Sequence, residues 1–545
     1  MQTMGRKVHF LIGMLPEPLG YSLAKYSRSA TPLIEWVMKL TEKDAQKFYD
    51  AYYFDYGDAS IADLAHVPLS IDNISNVAST EIWDEALQDG QETSTRYYNF
   101  AKRGRIIPPE IIGTRFEERC IRVCDLLLDA YQQLQQPLLD HLEQKYASER
   151  PLEMKEDKYR RTLNARAFDN TRYLLPGGTP TGMGLLLSAR TLERQLTRLF
   201  SHPLQEIRDI AAELKAAAKD LPAYNPIMER MQKDVFPKLD EMQEIIVKHL
   251  KEDDAREEME RRFPEECKQF PSMLQEVMLR IKEYCHADAR VLPTLMKHAE
   301  KNKYMINLRQ EVKLITRELL NSLAPDGRRG VELISCPNQN VEMAATLVYG
   351  TAEGHSFSQI LSVIDGMGEP SRQDLISHLI NLAGRLRGEH DPMTREAATG
   401  YAFIFDLCYD FGASRDLNRH RKVEKINQYV YPYLGYDIPL DILTVGAKDL
   451  YVSAVEQAFA LGKEIEAELP MVSTYVLPFA TRRRQLLKMD ARELQYIVEL
   501  RSRPHGHFSY REIVYDMFLA FKEKYPLRAG HIRAHLPNVG NIFIR

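Results

Sequence analysis

Nine consecutive residues bring together side chains that could hold a planar, phosphorylated ligand. The segment reads Glu92-Thr93-Ser94-Thr95-Arg96-Tyr97-Tyr98-Asn99-Phe100. A guanidinium such as that of Arg96 can fork onto a phosphate with two hydrogen bonds, and aromatic rings can lie against a nucleobase. A second cationic stretch, Arg419-His420-Arg421, follows much later in the chain. We predict that the two stretches are separate parts of one kind of site, divided between two related halves.

The composition is that of an ordinary globular protein. The chain has 545 residues, of which 44% are hydrophobic and 27% charged, and this length predicts roughly two to four domains. A net charge of -5 gives no support to a general role in nucleic-acid binding. No apolar run is long enough to cross a bilayer, so we expect no membrane partner. The six scattered cysteines indicate reduced thiols and a cytoplasmic location.

Local patterns predict the elements that position these residues. Apolar residues recur at helical spacing over 115–148, and a helix is expected from Ser188 onward. Residues 8–15 predict a first β-strand and residues 331–336 a later one. Residues 226–325 predict a charged helical connector, in which the charge run 251–262 is a solvated helix face.

Two echoes within the chain predict a long-period duplication. Tyr475-Val476-Leu477-Pro478 repeats the pattern of Tyr173-Leu174-Leu175-Pro176. Asp490-Ala491-Arg492-Glu493-Leu494 repeats Ser188-Ala189-Arg190-Thr191-Leu192 in the same order and at similar spacing. We therefore predict a first domain at 1–225, the connector at 226–325 and a second domain at 326–545.

The order of these motifs resembles the flavin-dependent thymidylate synthase family, present as two tandem diverged copies over most of 30–225 and 330–530. That family carries Arg-His-Arg-x-x-Ser-x-x-x-x-Ser-x-Arg after a Gly-His turn. An Arg-x-x-Leu-Pro segment, an Asn-x-Arg segment and a helix led by Leu-Arg follow. The resemblance implies an α/β (α+β) fold of two homologous domains. It also implies a homodimer that forms a pseudo-tetramer, because family sites lie between subunits.

The first half resembles the nucleotide side of the family site. Ser94 and Arg96 match the Ser-x-Arg that holds dUMP, with Glu92 in the same segment, and Arg172 matches the arginine before Leu-Pro. Arg198 matches the arginine that contacts the base, so the resemblance implies a catalytic role for Arg198 and Ser94. A helix cap with a surface ion pair is the plain alternative for Ser94 and Arg96, and a surface charge is the alternative for Arg172 and Arg198.

The family's Arg-His-Arg is lost from the first half, where it falls on Asp84-Glu85-Ala86. Ser60, in a turn that resembles Gly-His with Asp58 in place of the histidine, and Arg190, in the Asn-x-Arg match, remain as flavin-side candidates. For Arg190 an ordinary helix-surface charge is the alternative.

The second half shows the reverse loss. Arg419, His420 and Arg421 match the intact flavin-side triad, and Arg492 matches the arginine of Asn-x-Arg. The Ser-x-Arg match falls near 429–431 and is gone, and Thr474 stands where the first half has Arg172. A composite site would combine the nucleotide side of one half with the flavin side of the other. The plain alternative for 419–421 is a basic helix turn.

The resemblance implies reductive methylation of dUMP to dTMP, with methylenetetrahydrofolate as carbon source and FAD, reduced by NADPH, as hydride source. The protein would position the reactants and polarise the base with cations. Two alternatives stay open: another flavin-dependent reduction or alkylation of a pyrimidine nucleotide, and a non-catalytic relative that binds a nucleotide or a partner. His505-Gly506-His507 lacks a third ligand in the sequence, so we predict no metal site.

Overall fold

The protein is described by a computed structural model, which covers residues 11, 13–27, 29, 33–55, 59–241, 261–262, 276–277, 279–281, 289–388, 391, 393–537 and 542–543. The chain divides into two compact units. Unit 1 contains Met1–Val67, Ser188–Leu196 and Ala212–Ala299, and unit 2 contains Pro68–Leu187, Thr197–Ala211 and Glu300–Arg545. Among the described residues, no helix is both long enough and apolar enough to cross a membrane.

The strands and α-helices of the described residues have the following bounds. The strands are β1 His66–Ser75, β2 Gln88–Glu92, β3 Pro180–Ser188, β4 Gly330–Ile334, β5 Phe403–Asp410, β6 Glu424–Asn427 and β7 Arg482–Met489. The earlier helices are α1 Pro16–Tyr26, α2 Leu33–Lys39, α3 Glu42–Tyr49, α4 Asn76–Trp83, α5 Glu117–Gln133, α6 Gln135–Lys145, α7 Glu156–Thr171, α8 Ala189–Phe200, α9 Gln205–Lys219 and α10 Pro226–Arg230. The later helices are α11 Lys303–Leu320, α12 Gln339–Tyr349, α13 Phe357–Gly366, α14 Ser371–Arg385, α15 Phe411–Leu417, α16 Leu440–Thr444, α17 Lys448–Glu468, α18 Ala491–Arg501, α19 Phe508–Lys524 and α20 Pro526–Ala529.

Unit 1 is held together by a buried carboxylate near its start. Glu17, in α1, accepts hydrogen bonds from the backbone N–H groups of Thr294 and Leu295, both at 2.8 Å. Lys297 Nζ lies 2.7 Å from Asp50 Oδ1. A buried carboxylate requires hydrogen-bond donors to offset its lost hydration. Here the donors come from the last segment of unit 1, so these contacts join the first and last segments of the unit.

Unit 2 contains two antiparallel sheets whose strand orders match. The first sheet has the order β1-β3-β2, and the second has the order β4-β5-β7-β6. In each sheet, two strands joined by a short helix lie on either side of a later strand: β1-α4-β2 around β3, and β5-α15-β6 around β7. The later strand leads into two helices, α8 and α9 after β3, and α18 and α19 after β7. The predicted duplication is therefore visible in the topology.

The two strand-to-helix corners also match in detail. Ser75 caps α4 and Asp410 caps α15, each accepting from the backbone N–H three residues later. The backbone N–H of Asn76 donates to Thr179 O at 3.2 Å, and that of Phe411 donates to Thr481 O at 2.9 Å. Counted from the caps Ser75 and Asp410, position 84 of the first half is equivalent to position 419 of the second, and position 96 is equivalent to position 431.

The two Leu-Pro segments cross each other in an antiparallel arrangement. The N–H groups of Gly177 and Gly178 donate to Leu477 O and Tyr475 O at 2.9 and 2.8 Å. In return, the N–H groups of Phe479 and Ala480 donate to Leu175 O and Tyr173 O, both at 2.9 Å. The backbones approach so closely that a Cβ at Gly177 would lie 2.1 Å from Thr474 O. The two halves thus meet at a local pseudo-two-fold axis.

The fold class and the main predicted elements are confirmed. The 115–148 pattern forms α5 and α6, the later strand is β4, and the helix after Ser188 is α8. Of the predicted strand at 8–15, residues 8–10 and 12 lie outside the described residues, and residues 11 and 13–15 do not form a strand; most of the 251–262 charge run also lies outside the described residues. The proposed boundaries 1–225, 226–325 and 326–545 stay a prediction.

Candidate functional site

Arg96, just after β2, is held by a buried carboxylate. Its Nε and Nη2 donate to Asp169 Oδ1 and Oδ2 at 2.6 and 2.8 Å, and Nη2 also donates to His505 O at 3.2 Å. Asp169, in α7, has no exposed side-chain surface. Burial opposes the charge of Arg96, but Asp169 outweighs it and raises the pKa of Arg96. Arg96 is therefore a fixed cation, and Ser94 Oγ accepts its backbone N–H at 3.3 Å.

Arg172, at the end of α7, joins the two halves. Its guanidinium donates to Thr95 Oγ1 of the first half and to Gly412 O of the second, both at 3.4 Å. Its Nη2 lies 3.5 Å from Asp416 Oδ2, and only 3% of its side chain is exposed. The buried Nε–H of Arg172 has no partner among the described residues.

Arg415, in α15, forms an ion pair with Glu92 and lies over the Phe479 ring at 5.1 Å. Glu92 also accepts from Ser79 Oγ at 2.9 Å and from the Trp83 indole N–H at 3.2 Å. Burial lowers the pKa of Arg415; Glu92 opposes this shift and the nearby arginines add to it. The Nε–H of Arg415 is also buried and without a partner in the described part of the chain.

Asp416 lies within the field of four arginines. Burial raises its pKa, but Arg172, Arg501, Arg419 and Arg96 outweigh burial and hold the pKa of Asp416 below its usual value. Because 19% of its side chain is exposed, Asp416 is more accessible than Asp169 or Glu92, whose side chains are 0% and 3% exposed.

Arg419 and His420 follow α15 as a structured turn. The Arg419 guanidinium lies 5.9 Å from the centre of the Trp83 ring. His420 is buried, with Nδ1 3.3 Å from Glu493 and Nε2 accepting from Arg501 Nε at 2.9 Å. Burial lowers the pKa of His420, and the hydrogen bond to Nε2 fits a neutral imidazole.

The rest of the turn is fixed from the second sheet. Lys425, in β6, donates to Asn418 O and His420 O at 2.6 and 3.1 Å. Arg421 is half exposed and pairs with Asp89 at 2.7 Å. Within the predicted triad, Arg419 fits a ligand-binding cation best. It is partly accessible and, among the described residues, forms no ion pair.

These residues form what we call the composite cluster: Glu92, Arg96, Asp169, Arg172, Arg415, Asp416 and Arg419. Both halves contribute to it, and two buried guanidinium N–H groups remain available to an acceptor. Unsatisfied buried donors are rare and indicate a missing partner. The cluster can therefore hold an anionic ligand by charge-assisted hydrogen bonds. Among the described residues no group of His, Cys, Asp or Glu is arranged to hold a metal ion.

Arg198, predicted beside the nucleotide, lies elsewhere in unit 2. Its Nη2 donates to Glu81 O at 2.7 Å, and its Nη1 is 3.8 Å from Glu81 Oε2. His202 Nε2 is 2.9 Å from Tyr429 Oη. These four residues belong to what we call the second cluster: Glu81, Asp84, Arg198, His202, Arg395 and Tyr429. It includes Asp84, which stands where the family has arginine and pairs with Arg395.

The remaining predicted flavin-side residues are not part of either cluster. Arg190 belongs to unit 1, where its Nη1 lies 2.8 Å from Asp63 Oδ2. Ser60 also belongs to unit 1 and is exposed in the 3-10 turn Ala59–Leu64 rather than at the cap of an α-helix. Arg492 is exposed at the start of α18. The Gly-Asp turn at 57–58 lies outside the described residues.

The sequence prediction missed the partners of the arginines. Arg415 lies one helical turn before Arg419, and Asp169 lies three residues before Arg172, so helical spacing was the available signal. A Gly-His pair at Gly354-His355 also fits the expected turn of the second half; Gly354 has φ of 101° and Ser356 caps α13. No such local signal marks Asp416 as the carboxylate among the arginines.

Comparison with known proteins finds a matching family, similar proteins and a similar solved structure. The profile of a family described as thymidylate synthase complementing protein matches residues 11–223 and 332–527. A UPF0159 protein of Chlamydia muridarum is 26% identical over 537 residues, which covers 93% of this chain and 88% of that protein. A UPF0159 protein of Thermoplasma acidophilum is 25% identical over 558 residues, with 94% of each chain covered.

Two further matches concern single copies of the repeat. A flavin-dependent thymidylate synthase of Clostridium tetani is 26% identical over 223 residues, covering 40% of this chain and 84% of that enzyme. Among solved structures, a flavin-dependent thymidylate synthase from Helicobacter pylori complexed with FAD and dUMP matches with a TM-score of 0.22 and 14% identity. That match covers 37% of this chain and 89% of the other.

Proposed function

Because the chain belongs to the thymidylate synthase complementing protein family, with one match in each half, we propose that it catalyses flavin-dependent reductive methylation of dUMP in the composite cluster. The carbon would come from methylenetetrahydrofolate and the reducing power from NADPH. The domains 1–225 and 326–545 are the two family copies, and 226–325 is the connector. Two chains form a pseudo-tetramer, and the protein acts in the cytoplasm.

The observation that carries this proposal is the meeting of complementary parts within one chain. Arg172 of the first half contacts Gly412 and Asp416 of the second, and Glu92 of the first half pairs with Arg415 of the second. The halves that kept different parts of the family motif thus supply neighbouring side chains. Random loss would not favour this complementarity.

The residues present fit a phosphate-bearing nucleotide and a flavin cofactor. Arg172 and Arg415 each retain a buried Nε–H without a partner among the described residues, and acceptor oxygens of a phosphate would satisfy them. Arg419, partly accessible over Trp83, would hold the cofactor with Arg421. When bound, reduced FAD supplies the hydride. The arginines of this chain orient the pyrimidine and stabilise negative charge that develops on its carbonyl.

The first test is flavin binding by the purified full-length protein. We expect flavin, detected by its visible absorption bands, to copurify with the protein or to bind when FAD is added. The Arg419→Ala variant should bind no flavin. Arg122→Ala, which removes an exposed arginine of α5, is the matched control and should retain flavin. Conversion of dUMP to dTMP, followed by mass spectrometry with methylenetetrahydrofolate and NADPH, then tests the reaction. A wild-type protein that binds no flavin would refute the proposal.

A further inference from the structure

Of the three carboxylates in the composite cluster, Asp416 differs from the other two in how it is held. Asp169 makes a two-point contact with Arg96, and Glu92 accepts from Arg415 and three neutral donors. Asp416 makes one looser ion pair, at 3.5 Å, with Arg172. It is also the most exposed of the three. Asp416 is therefore the carboxylate that a ligand meets first and displaces most easily.

Asp416 also lies where the positive field of the cluster converges. Four arginines, Arg172, Arg501, Arg419 and Arg96, stabilise its charged form. A ligand anion attracted by the same four guanidinium groups would seek the same region, because like charges at short range repel and opposite charges attract. The carboxylate and a ligand phosphate are thus competitors for one set of cations.

We propose that Asp416 is an internal counter-ion that competes with the ligand's phosphate for this arginine set and so determines how much the phosphate adds to binding. The inference rests on the proposed function only for the identity of the ligand's pyrimidine base. The competition between Asp416 and a phosphate does not depend on it. In the wild-type protein Asp416 limits what the phosphate of dUMP gains from Arg172 and Arg415, so the phosphate adds only a few-fold to the affinity of the nucleoside. Asp416 acts on specificity and is not a catalytic residue.

The central experiment compares Asp416→Asn with Asp416→Glu. The amide removes the negative charge but keeps the size, whereas glutamate keeps the charge. We expect Asp416→Asn to bind dUMP about tenfold more tightly than wild type, because a nearby like charge has been removed. Its affinity for deoxyuridine, which has no phosphate, should stay unchanged. Asp416→Glu should resemble wild type, and so should Asp129→Asn, which removes an exposed acid of α5.

Inorganic phosphate provides a test that does not depend on the nucleotide. We expect it to raise the thermal midpoint of Asp416→Asn by about 2–4 °C at saturating concentration and that of wild type by much less. This result with no binding of dUMP or deoxyuridine would support the counter-ion role and refute the proposed substrate. Equal phosphate effects on both proteins would overturn the counter-ion role, even if dUMP binds.

The wild-type protein keeps the inference testable if Asp416→Asn does not fold. In wild type, deoxyuridine and dUMP should bind with affinities within a few-fold of each other in isothermal titration calorimetry. Binding of dUMP more than tenfold tighter than deoxyuridine would overturn the proposal, because the phosphate would then already have full access to the arginines.

Discussion

The composite cluster and the second cluster are each built from both halves and contain equivalent positions, yet their side chains differ. Counting from the helix caps Ser75 and Asp410, Asp416 is equivalent to Glu81. Each is a carboxylate near arginines: Asp416 near Arg172, and Glu81 near Arg198. The positions equivalent to Ser94 and Arg96, however, carry Tyr429, a member of the second cluster, and Tyr431, whose ring centre lies 6.5 Å from that of Tyr429.

The difference shows how a duplicated site can change in one copy. Where the first half has the hydroxyl of Ser94 and the cation of Arg96, the second half has the aromatic rings of Tyr429 and Tyr431, and Tyr431 is buried. His202, which bonds to Tyr429, is also buried, and burial holds its pKa well below the usual value.

The Nε–H groups of Arg172 and Arg415 in the composite cluster have no partner among the described residues. The members of the second cluster pair with one another, although Arg483, whose charge acts on Glu81 and Asp84, also has a buried Nε–H without a described partner.

The caps themselves show the same exchange. Ser75 Oγ and the Tyr475 hydroxyl both bond to the carboxylate of Glu206, at 2.6 and 2.7 Å. In the other half the carboxylate is Asp410 at the cap, and the hydroxyl is Ser509 on α19, with Tyr173 as the third member. The acid and the hydroxyl have changed places, so equivalent positions preserve the contact and not the residue type.

The largest expected effect comes from breaking the Arg96–Asp169 pair. Arg96→Met removes the two-point partner of the fully buried Asp169 and leaves only the longer pair with Arg166, at 3.6 Å, so we expect a loss of about 3 kcal/mol in the free energy of unfolding. Urea unfolding measures it. Arg96→Met combined with Asp169→Asn should recover much of the loss, whereas Arg122→Met, at an exposed pair, should cost less than about 1 kcal/mol. Equal losses of stability in Arg96→Met and Arg122→Met would show that the buried pair contributes no more to stability than the exposed one.

An intermediate effect is expected from pH at the second cluster. The folded pKa of His202 is lowered by burial, so the unfolded state binds a proton more readily and stability falls as pH drops below about 6.5. His202→Gln removes this contribution. Between pH 7.5 and 5.5 it should lose about 1 kcal/mol less stability than wild type. Parallel pH profiles for the two proteins would show that His202 is not a buried neutral imidazole.

The smallest expected effect sharpens the functional contrast between the clusters. Tyr429→Phe removes the hydroxyl bonded to His202, and we expect it to lower stability by about 1 kcal/mol or less. Its flavin content and dUMP affinity should equal those of wild type, because ligand binding is assigned to the other cluster. Loss of either ligand in this variant, with stability unaffected, would assign a ligand to the second cluster instead.

The duplication could be predicted because its signals are local. The Leu-Pro segments and the strand-to-helix corners are set by neighbouring residues, and they recur in both sequence and structure. The resemblance also selected Arg96, Arg172 and Arg419, and the structure brings these residues into one cluster. Their roles toward a ligand stay a prediction.

The partners of those arginines could not be predicted in the same way. Arg415 and Glu92 are more than 300 residues apart, and their pairing depends on how the two halves meet. Arg198 shows the limit of local reasoning in the other direction, and its role stays a prediction. It matches a nucleotide-binding position in its own half, but its neighbour in space is Glu81 and, through His202, Tyr429. Tertiary contacts, and not motif order, decide which cluster receives it.

The crossing of the two Leu-Pro segments has a consequence for inheritance. Its hydrogen bonds join main-chain atoms, so most side-chain replacements leave the docking of the halves intact. In an assembly of identical subunits, every replacement would appear at each equivalent place at once. Here a single codon change alters one place only, so one pocket can fill with aromatic rings while its twin keeps its cations. Covalent linkage thus lets the two copies diverge separately, so that one can carry tyrosines where the other carries a serine and an arginine.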